Sequence, residues 1–368
     1  MGKRAVFVFR NLGTGGAQKI EAFVANALCN SGYDVIAINM ASSKCTVNLD
    51  NRIKIVNVIY DFAEVCQNKI KKLYNKLIYL YKLRKAILAQ KPDIVCAFLS
   101  DVVRITVLAL KGTAIPIIGS ERGDPNVFSS KQFNAYRKAY IHCKYAVFQL
   151  DNVMQMYNLP DFVKQKVIPN PCIPRTNSKS DKASEPSEHI ILSAGRLAEQ
   201  KRFDLLIDAF DLVYQKHPEY QLHIYGSGPL EAKLYNQIQS TSASSSIRLA
   251  GDVEDVFAVA SNSDFFVLSS DFEGIPNVIL EAMYAGIPVI ATDCSPGGAS
   301  YLLENGECGI IVPKNDKLKL AEAINNYIEC PSLREQHIIK SLKSIKKYEP
   351  HKIEKMWIDI FNSVLEES

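Results

Sequence analysis

The chain has 368 residues, enough for two domains of ordinary size, and 47% of them are hydrophobic, enough to give each domain a core. No apolar run approaches the roughly 18 residues that a membrane-spanning helix needs, and the nine dispersed cysteines show no C-x-x-C pair or clustered Cys/His spacing, which fits reduced thiols and argues against structural zinc. The net charge of +4 hides an asymmetry: 24 Lys/Arg against 11 Asp/Glu through Asn170, a net of +13, then 19 against 28, a net of −9.

Met1-Gly2-Lys3-Arg4 leads into an apolar strand at 5–9, too soon broken by Arg10 and Asn11 to serve as a secretory signal. The glycine-rich turn Gly13-Thr14-Gly15-Gly16-Ala17-Gln18 follows, then a helix with Ile20, Phe23, Val24, Ala27 and Leu28 on one face. Further strands are expected at 34–39, 53–58, 93–98, 116–120 and 145–150, with a helix over 69–90 whose apolar positions are Ile70, Leu73, Leu77, Leu80 and Ile87. Alternating strands and helices predict a parallel sheet covered on both faces. The glycine-rich turn stands at the carboxyl end of a strand, where open parallel sheets bind ligands. Its spacing matches neither a dinucleotide fingerprint nor a P-loop.

No acidic residue stands between Glu64 and Asp93, while Lys69, Lys71, Lys72, Lys76, Lys82, Arg84, Lys85 and Lys91 alternate with Tyr74, Tyr79 and Tyr81. This helix reads as a sheet cover with a solvated basic face, or as one that lies on an anionic bilayer. The charge excess over the whole half favours the bilayer. No recognised nucleic-acid motif accompanies it, so nucleic acid is not expected as a partner. Asp101 follows one strand, and Ser120-Glu121-Arg122-Gly123-Asp124-Pro125 closes another. Arg122 is permanently charged and cannot act as a base. It either holds an anion or a second substrate, or forms a surface pair with Asp124.

A Pro- and Ser-rich stretch, 171–187, reads as a linker between domains. The alternation restarts at 189–194 and runs into Gly195-Arg196-Leu197-Ala198-Glu199-Gln200-Lys201. Two fixed cations, Arg196 and Lys201, thus come from one short loop. Such a pair can clamp a pyrophosphate and stabilise it as it leaves, or simply be solvated. Glycines 226 and 228 follow the next strand, and Ile247 to Val253 forms another strand-turn element. The strand 265–268 leads to Asp271-Phe272-Glu273-Gly274-Ile275-Pro276-Asn277-Val278-Ile279-Leu280-Glu281. Asn277 is expected to cap the helix that starts here, Gly274 to allow close backbone approach, and Glu273 and Glu281 to bracket the turn. A carboxylate beside a sugar accepts hydroxyl hydrogen bonds and favours a cationic transition state. The plainer reading is two solvated acids. The tail places Ile353, Trp357, Ile360, Phe361 and Leu365 on one helical face.

The Glu-x7-Glu spacing around Gly-Ile-Pro-Asn resembles the signature of the retaining glycosyltransferases of family 4. The likeness recurs in Gly15-Gly16-Ala17-Gln18, where the family usually has Glu at the last position, and in Gly195-Arg196-Leu197 with Gln200-Lys201 and Asp204. The resemblance implies the α/β GT-B fold, two Rossmann-like domains facing a cleft. It gives boundaries of 1–170 plus a returning helix at about 350–368, and 188–349. The first domain would bind the acceptor and the second a nucleotide-sugar donor, with UDP-sugars favoured.

By resemblance, Arg196 and Lys201 hold the pyrophosphate, Glu273 contacts the donor sugar beside the reacting carbon, and Glu281 holds the ribose. Gly15, Gly16, Gly226, Gly228, Val253, Gly274, Ile275, Asn277 and Val278 line the donor site. Asp101, Arg122 and Asp124 are the acceptor candidates. With no Asp-x-Asp pair, no metal or other cofactor is expected. The basic half points to a lipid-linked saccharide acceptor in bacterial surface-polysaccharide assembly, on the inner face of the plasma membrane. Tyr301 stands near a position where the family usually has Glu. The alternatives are a UDP-sugar epimerase of the same fold, which would need acid–base groups where the first half offers only His142, expected in a helix, and a non-catalytic sugar-binding protein.

Overall fold

Strand β1 (Arg4–Phe9) is buried from Ala5 to Phe9, which is why its sequence is a continuous apolar run and not an alternating one. The structure, a computed structural model, describes residues 3–13, 15–41, 45–59, 69–173, 189–259 and 262–367. The chain divides into two units, Met1–Asn170 with His351–Ser368, and Pro171–Pro350. The expected linker lies outside the described residues beyond position 173.

In the first unit β1 is followed by α1 (Gly16–Asn30), β2 (Asp34–Asn39), β3 (Lys54–Asn57), α2 (Lys69–Ala89), β4 (Ile94–Phe98), α3 (Ser100–Ala109), β5 (Ile117–Ser120), α4 (Ser130–Tyr140), β6 (Tyr145–Phe148), α5 (Asp151–Tyr157) and β7 (Lys164–Val167). All seven strands are parallel, in the order β3-β2-β1-β4-β5-β6-β7. The order reverses between β1 and β4, so their carboxyl ends flank a crevice of the kind that binds ligands in open α/β sheets. Edge strand β7 has no counterpart among the expected strands. It is short, and its exposed Lys164 and Lys166 leave no apolar run to read, a pattern that also guards a sheet edge against pairing.

The second unit repeats the plan with β8 (Ile190–Ala194), α6 (Phe203–Tyr214), β9 (Gln221–Tyr225), α7 (Glu231–Gln239), β10 (Ile247–Gly251), α8 (Val256–Val259), β11 (Phe265–Leu268), α9 (Asn277–Tyr284), β12 (Val289–Thr292), α10 (Gly298–Leu302), β13 (Ile310–Val312), α11 (Lys317–Glu329) and α12 (Pro331–Ser344). Its six parallel strands run β10-β9-β8-β11-β12-β13, and the reversal falls between β8 and β11.

The last helix, α13 (Pro350–Glu366), belongs from His351 onward to the first unit. Trp357 stacks on Phe98 with ring centroids 5.3 Å apart, and Phe361 stacks on Phe7 at 5.8 Å. Ile353, Ile360 and Val364 complete the buried face, with Leu365 only partly covered.

Two expectations are corrected in this unit. Among the described side chains of α2 the buried ones are Tyr79, Leu83 and Ile87, while Leu73 and Leu77 face solvent; Ile70 lies outside them. The period was right, but the face turned to the sheet is the one through Tyr79 and Leu83. His142 lies in the turn after α4 and not in a helix.

Glu21 on α1 is buried, and its Oε1 has no hydrogen-bond partner. Burial pushes its carboxyl well above the ordinary range. The folded chain therefore keeps a proton that the unfolded chain releases at the usual carboxylate pH. This stability is complete at pH values below the unfolded pKa and declines as pH rises toward the folded one, by about 1.4 kcal/mol per pH unit. Glu21→Gln removes that decline. In urea titrations the variant should gain on the wild type between pH 4 and pH 8, and a constant difference across that range would show that Glu21 ionises without cost.

Candidate functional site

The carboxyl ends of β8 and β11 bring two loops together in the second unit. The first, after β8, carries Arg196 and a short 3-10 turn, Glu199–Lys201. The second, after β11, carries Ser269 to Glu273 and enters α9 through Pro276. Lys201 Nζ donates to Glu273 Oε1 at 2.6 Å, and Ser270 Oγ donates to the same oxygen at 2.9 Å. Both charged side chains are largely covered, at 16% and 13% exposure. The Lys201 stem lies across Gly195, where a Cβ would come within 2.9 Å of Cε. Arg196, from the same loop, is exposed, and its side chain bonds to no described residue. One fixed cation is thus paired with a carboxylate and a second is open to a ligand. That arrangement can meet an anion that carries more than one charge.

The surroundings of the pair are dry on one side. Cys294, after β12, is buried, and burial followed by the neighbouring Glu273 charge pushes its thiol up to about 12. The loop of Cys294 also fixes Glu273 by backbone bonds, Glu273 N to Ser295 O at 2.7 Å and Ser295 N to Asp271 O at 3.1 Å.

The β9 turn supports the Arg196 loop. Gly195 N donates to Tyr225 O at 2.9 Å, and Leu197 N donates to Ser227 O at 2.8 Å. A Cβ on Gly226 would lie 1.9 Å from Gly195 O, and one on Gly228 would lie 2.4 Å from Leu197 O. These two glycines therefore let one backbone loop rest on another. Val253, half-buried, follows β10 next to Asp252, which accepts from Ser227 Oγ.

Pro276, not Asn277, occupies the N-cap of α9, and Asn277 is the first helical residue. A proline before a helix fixes the chain direction, and its position there displaces the expected cap by one residue. Gly274, Ile275, Val278 and Glu281 lie on this entry and the first turns, with Ile275 buried and Glu281 half-buried. Gly274 O is approached closely by α10, since a Cβ on Gly298 would stand 1.7 Å from it. Tyr301 of α10 packs edge-on against Tyr348. A cavity of about 390 Å³ opens beside the two loops, lined by Gln200, Arg202, Leu230, Lys233, Asp271 and Phe272 among others. Lys201, Glu273 and Glu281 do not line it.

In the first unit, the carboxyl ends of β1 and β4 are joined by an ion pair of Arg10 with Asp101. Gly15 is the N-cap of α1 and Gly16 its first residue, so both stand at the β1 side of the crevice. Arg122 is not a surface partner of Asp124. It is buried, with Nε donating to Ser120 Oγ at 2.9 Å and Nη1 to Ile168 O at 2.8 Å. The guanidinium carbon stands 5.4 and 5.2 Å from the ring centroids of Phe98 and Trp357. Burial pulls its pKa down to about 9, so it stays charged at neutral pH.

Asp124 caps the 3-10 turn Pro125–Val127 by accepting from Asn126 N at 2.9 Å. Glu121, also buried, accepts from Ser100 Oγ, from Tyr157 OH at 2.7 Å and from the backbone N–H groups of residues 122 and 123. Sequence reasoning missed Ser270, whose contact with Glu273 spans only three positions but carries no motif, and it missed Gln200 and the Glu121 network because no local pattern marks their contacts with Phe272, Ser100 and Tyr157.

Residues 174–344 match the family model of group 1 glycosyl transferases. The whole chain is similar to two bacterial proteins. An uncharacterised glycosyltransferase of Haemophilus influenzae is 28% identical over 96% of this chain and 99% of its own length. An α-1,4-N-acetylgalactosaminyltransferase of Campylobacter jejuni, which acts on an undecaprenol-diphosphate-linked saccharide by its name, is 26% identical over 97% and 98%. The chain is a glycosyltransferase. Its fold is the GT-B one. The UDP complex of HepE from Anabaena superposes with a TM-score of 0.80 at 17% identity, covering 98% of this chain and all of that one.

The enzyme's loop-on-loop packing yields a test. Gly226→Ala adds a methyl where 1.9 Å separates it from Gly195 O, at a φ of +134° that L-residues avoid. Overpacking of this kind costs about 1–3 kcal/mol. The variant should melt several degrees lower and turn over more slowly as the Arg196 loop is pushed aside. Wild-type melting and wild-type turnover together would contradict the contact.

Proposed function

We propose that the enzyme moves a hexose-type sugar from a UDP-sugar to a hydroxyl of a lipid-linked saccharide, with retention at the anomeric carbon, in the assembly of a bacterial glycan. The observation that carries this reading is the Lys201–Glu273 pair beside exposed Arg196 at the strand-order reversal of the second unit. Arg196 and Lys201 would take the donor diphosphate and stabilise it as it departs. No metal is then required, and the departing phosphate would itself accept the acceptor's proton on the same face. Glu273 would face the sugar as positive charge develops there, and Glu281, one helix turn and more farther on, would hold the ribose hydroxyls. The UDP bound in HepE and the undecaprenol-linked acceptor in the name of the Campylobacter enzyme support the two substrate classes.

We also propose that the first unit docks on the inner face of the plasma membrane through α2. The structure turns Leu73, Tyr74, Leu77 and Tyr81 outward, each more than half exposed, with Leu88 on the same side. Lys71, Lys82 and Lys85 are exposed beside them. Lys76 is half-buried, and burial lowers its pKa, so it is not part of this face. An apolar stripe flanked by cations is the pattern of a helix lying at an anionic interface. Among the described residues no helix is long and apolar enough to cross a membrane. The acceptor would then be met at the rim of the first sheet, where Asp101 is partly exposed, while buried Arg122 and Asp124 would shape the loop after β5.

Two measurements test these readings. With bacterial membranes as acceptor source and radiolabelled UDP-glucose, UDP-galactose, UDP-N-acetylglucosamine or UDP-N-acetylgalactosamine, label should move into solvent-extractable lipid. Arg196→Ala should cut that rate by roughly a hundred- to a thousandfold, the value of one fixed charge at a developing charge. Label from GDP- or ADP-sugars alone would overturn the choice of donor. In vesicle sedimentation the enzyme should bind phosphatidylglycerol vesicles at low salt and release as ionic strength rises. Each cation contributes about 1 kcal/mol. Replacing Lys71, Lys82 and Lys85 by Gln, or Leu77 and Tyr81 by Ser, should remove most binding. Equal binding to neutral vesicles, or none to either, would leave α2 a plain sheet cover.

A further inference from the structure

Between Lys201 and α6 the chain passes through one residue, Arg202, held at φ +48° and ψ +42°. This left-handed conformation is strained for every residue except glycine and, to a lesser degree, Asn or Asp. The helix does not ask for arginine here. Arg202 is its N-cap, yet its side chain makes no capping hydrogen bond.

The guanidinium is instead spread over three separate segments. Nε and Nη2 each donate to Asp204 at 3.1 Å, Nη1 donates to both oxygens of Asp271 at 3.2 and 3.3 Å, and Nη1 also reaches Asn315 Oδ1. Asp204 lies on α6, Asp271 in the loop after β11 and Asn315 after β13. Only a planar fork with several donors can serve all three at once. Three further bonds join the same two loops: Asp271 N to Gln200 O at 2.9 Å, Gln200 Nε2 to Phe272 O at 2.7 Å, and Ser269 Oγ to Lys201 O at 2.8 Å. The Lys201–Glu273 pair is therefore the inner end of a seam whose outer end is Arg202. The cavity described above is lined by Arg202 together with Gln200, Asp271 and Phe272, so the seam borders open space on that side.

We propose that Arg202 is a positioning residue of the transfer site. It locks the loop of Asp271 and Phe272 against the turn of residues 199–202, and so sets Lys201 and Glu273 face to face. The proposal rests on the reading of Lys201 as a ligand of the donor diphosphate. Arg202 contacts neither Lys201 Nζ nor Glu273 and acts only through the backbone segments it joins.

The test is binding of UDP, with GDP and ADP alongside, measured by calorimetry on the full chain, together with melting temperature. Arg202→Gly should weaken UDP binding about tenfold, the scale expected when a fixed group moves by a fraction of an ångström. It should melt no more than a few degrees from the wild type, since glycine removes the strain at φ +48°. Asp271→Asn should weaken binding similarly, and the double variant no more than either single one, because all three break the same seam. Arg202→Lys, which keeps the charge and loses the fork, should fall between. Wild-type affinity in Arg202→Gly, additive losses, or a loss of melting that tracks the loss of binding would each overturn the proposal. Lys201→Ala separates the two levels. If it binds UDP normally, the diphosphate reading of Lys201 fails. If it binds weakly while Arg202→Gly binds normally, only the positioning role fails. A wild type that binds none of the three nucleotides removes both.

Discussion

A parallel sheet covered by helices on both faces leaves its carboxyl rim as the place where polar chemistry can collect. Its strands must be apolar along their length, and here β1, β4, β8 and β11 are buried almost without exception. Charged residues therefore gather where each strand ends and its loop begins. At the reversal of strand order, two such loops diverge and leave room between them. In each unit the two loops at this point are tied by an ion pair, Arg10 with Asp101 and Lys201 with Glu273. The rest of the site follows from how the second of these pairs is held.

A lysine and a glutamate that are mostly covered would each be costly alone, and their attraction with one added hydrogen bond from Ser270 offsets that cost. The dry side is set by β12 and its loop, where Cys294 is buried. The open side carries Arg196, whose side chain has no partner among the described residues to compete with a ligand. A donor diphosphate would meet one cation already fixed in space and one free to close on it. Under the proposed reading a fixed cation would cost little reorganisation as charge shifts to the leaving group, which is the physical advantage of a preorganised site.

The first unit shows a different use of charge. Glu121 and Arg122 are adjacent and buried, yet the guanidinium and the carboxylate form no ion pair with each other. Glu121 gathers donors from α3, α5 and its own loop, while Arg122 lies against Phe98 and Trp357 and donates to Ile168 O just after β7. Trp357 comes from α13, so this arginine helps hold the returning helix where it completes the core. Its Nη2 and the Asp124 Oδ2 are buried without partners among the described residues.

The central strands of both units were legible in the sequence because burial on both faces writes continuous apolar runs, and because glycines at 195, 226 and 274 mark the turns, whereas the edge strand β7 carries no such run and that of β13 is only three residues long. The cations at 196 and 201 and the acids at 273 and 281 were also legible, since each stands one short loop beyond such a run. Only the tertiary structure decided what those residues do to one another. Lys201 and Glu273 are 72 positions apart, and no local periodicity encodes their contact. The same holds for Arg202, whose left-handed backbone and three partners depend on loops from separate strands. Arg122 was misplaced because a charged residue in a loop reads as exposed until the aromatic rings that cover it, one of them 235 positions away, are in place. For α2 the sequence fixes an apolar period all round the helix, and the sheet alone selects Tyr79, Leu83 and Ile87 as the face to bury. The leucines and tyrosines left outside become visible as a surface only after that choice is made.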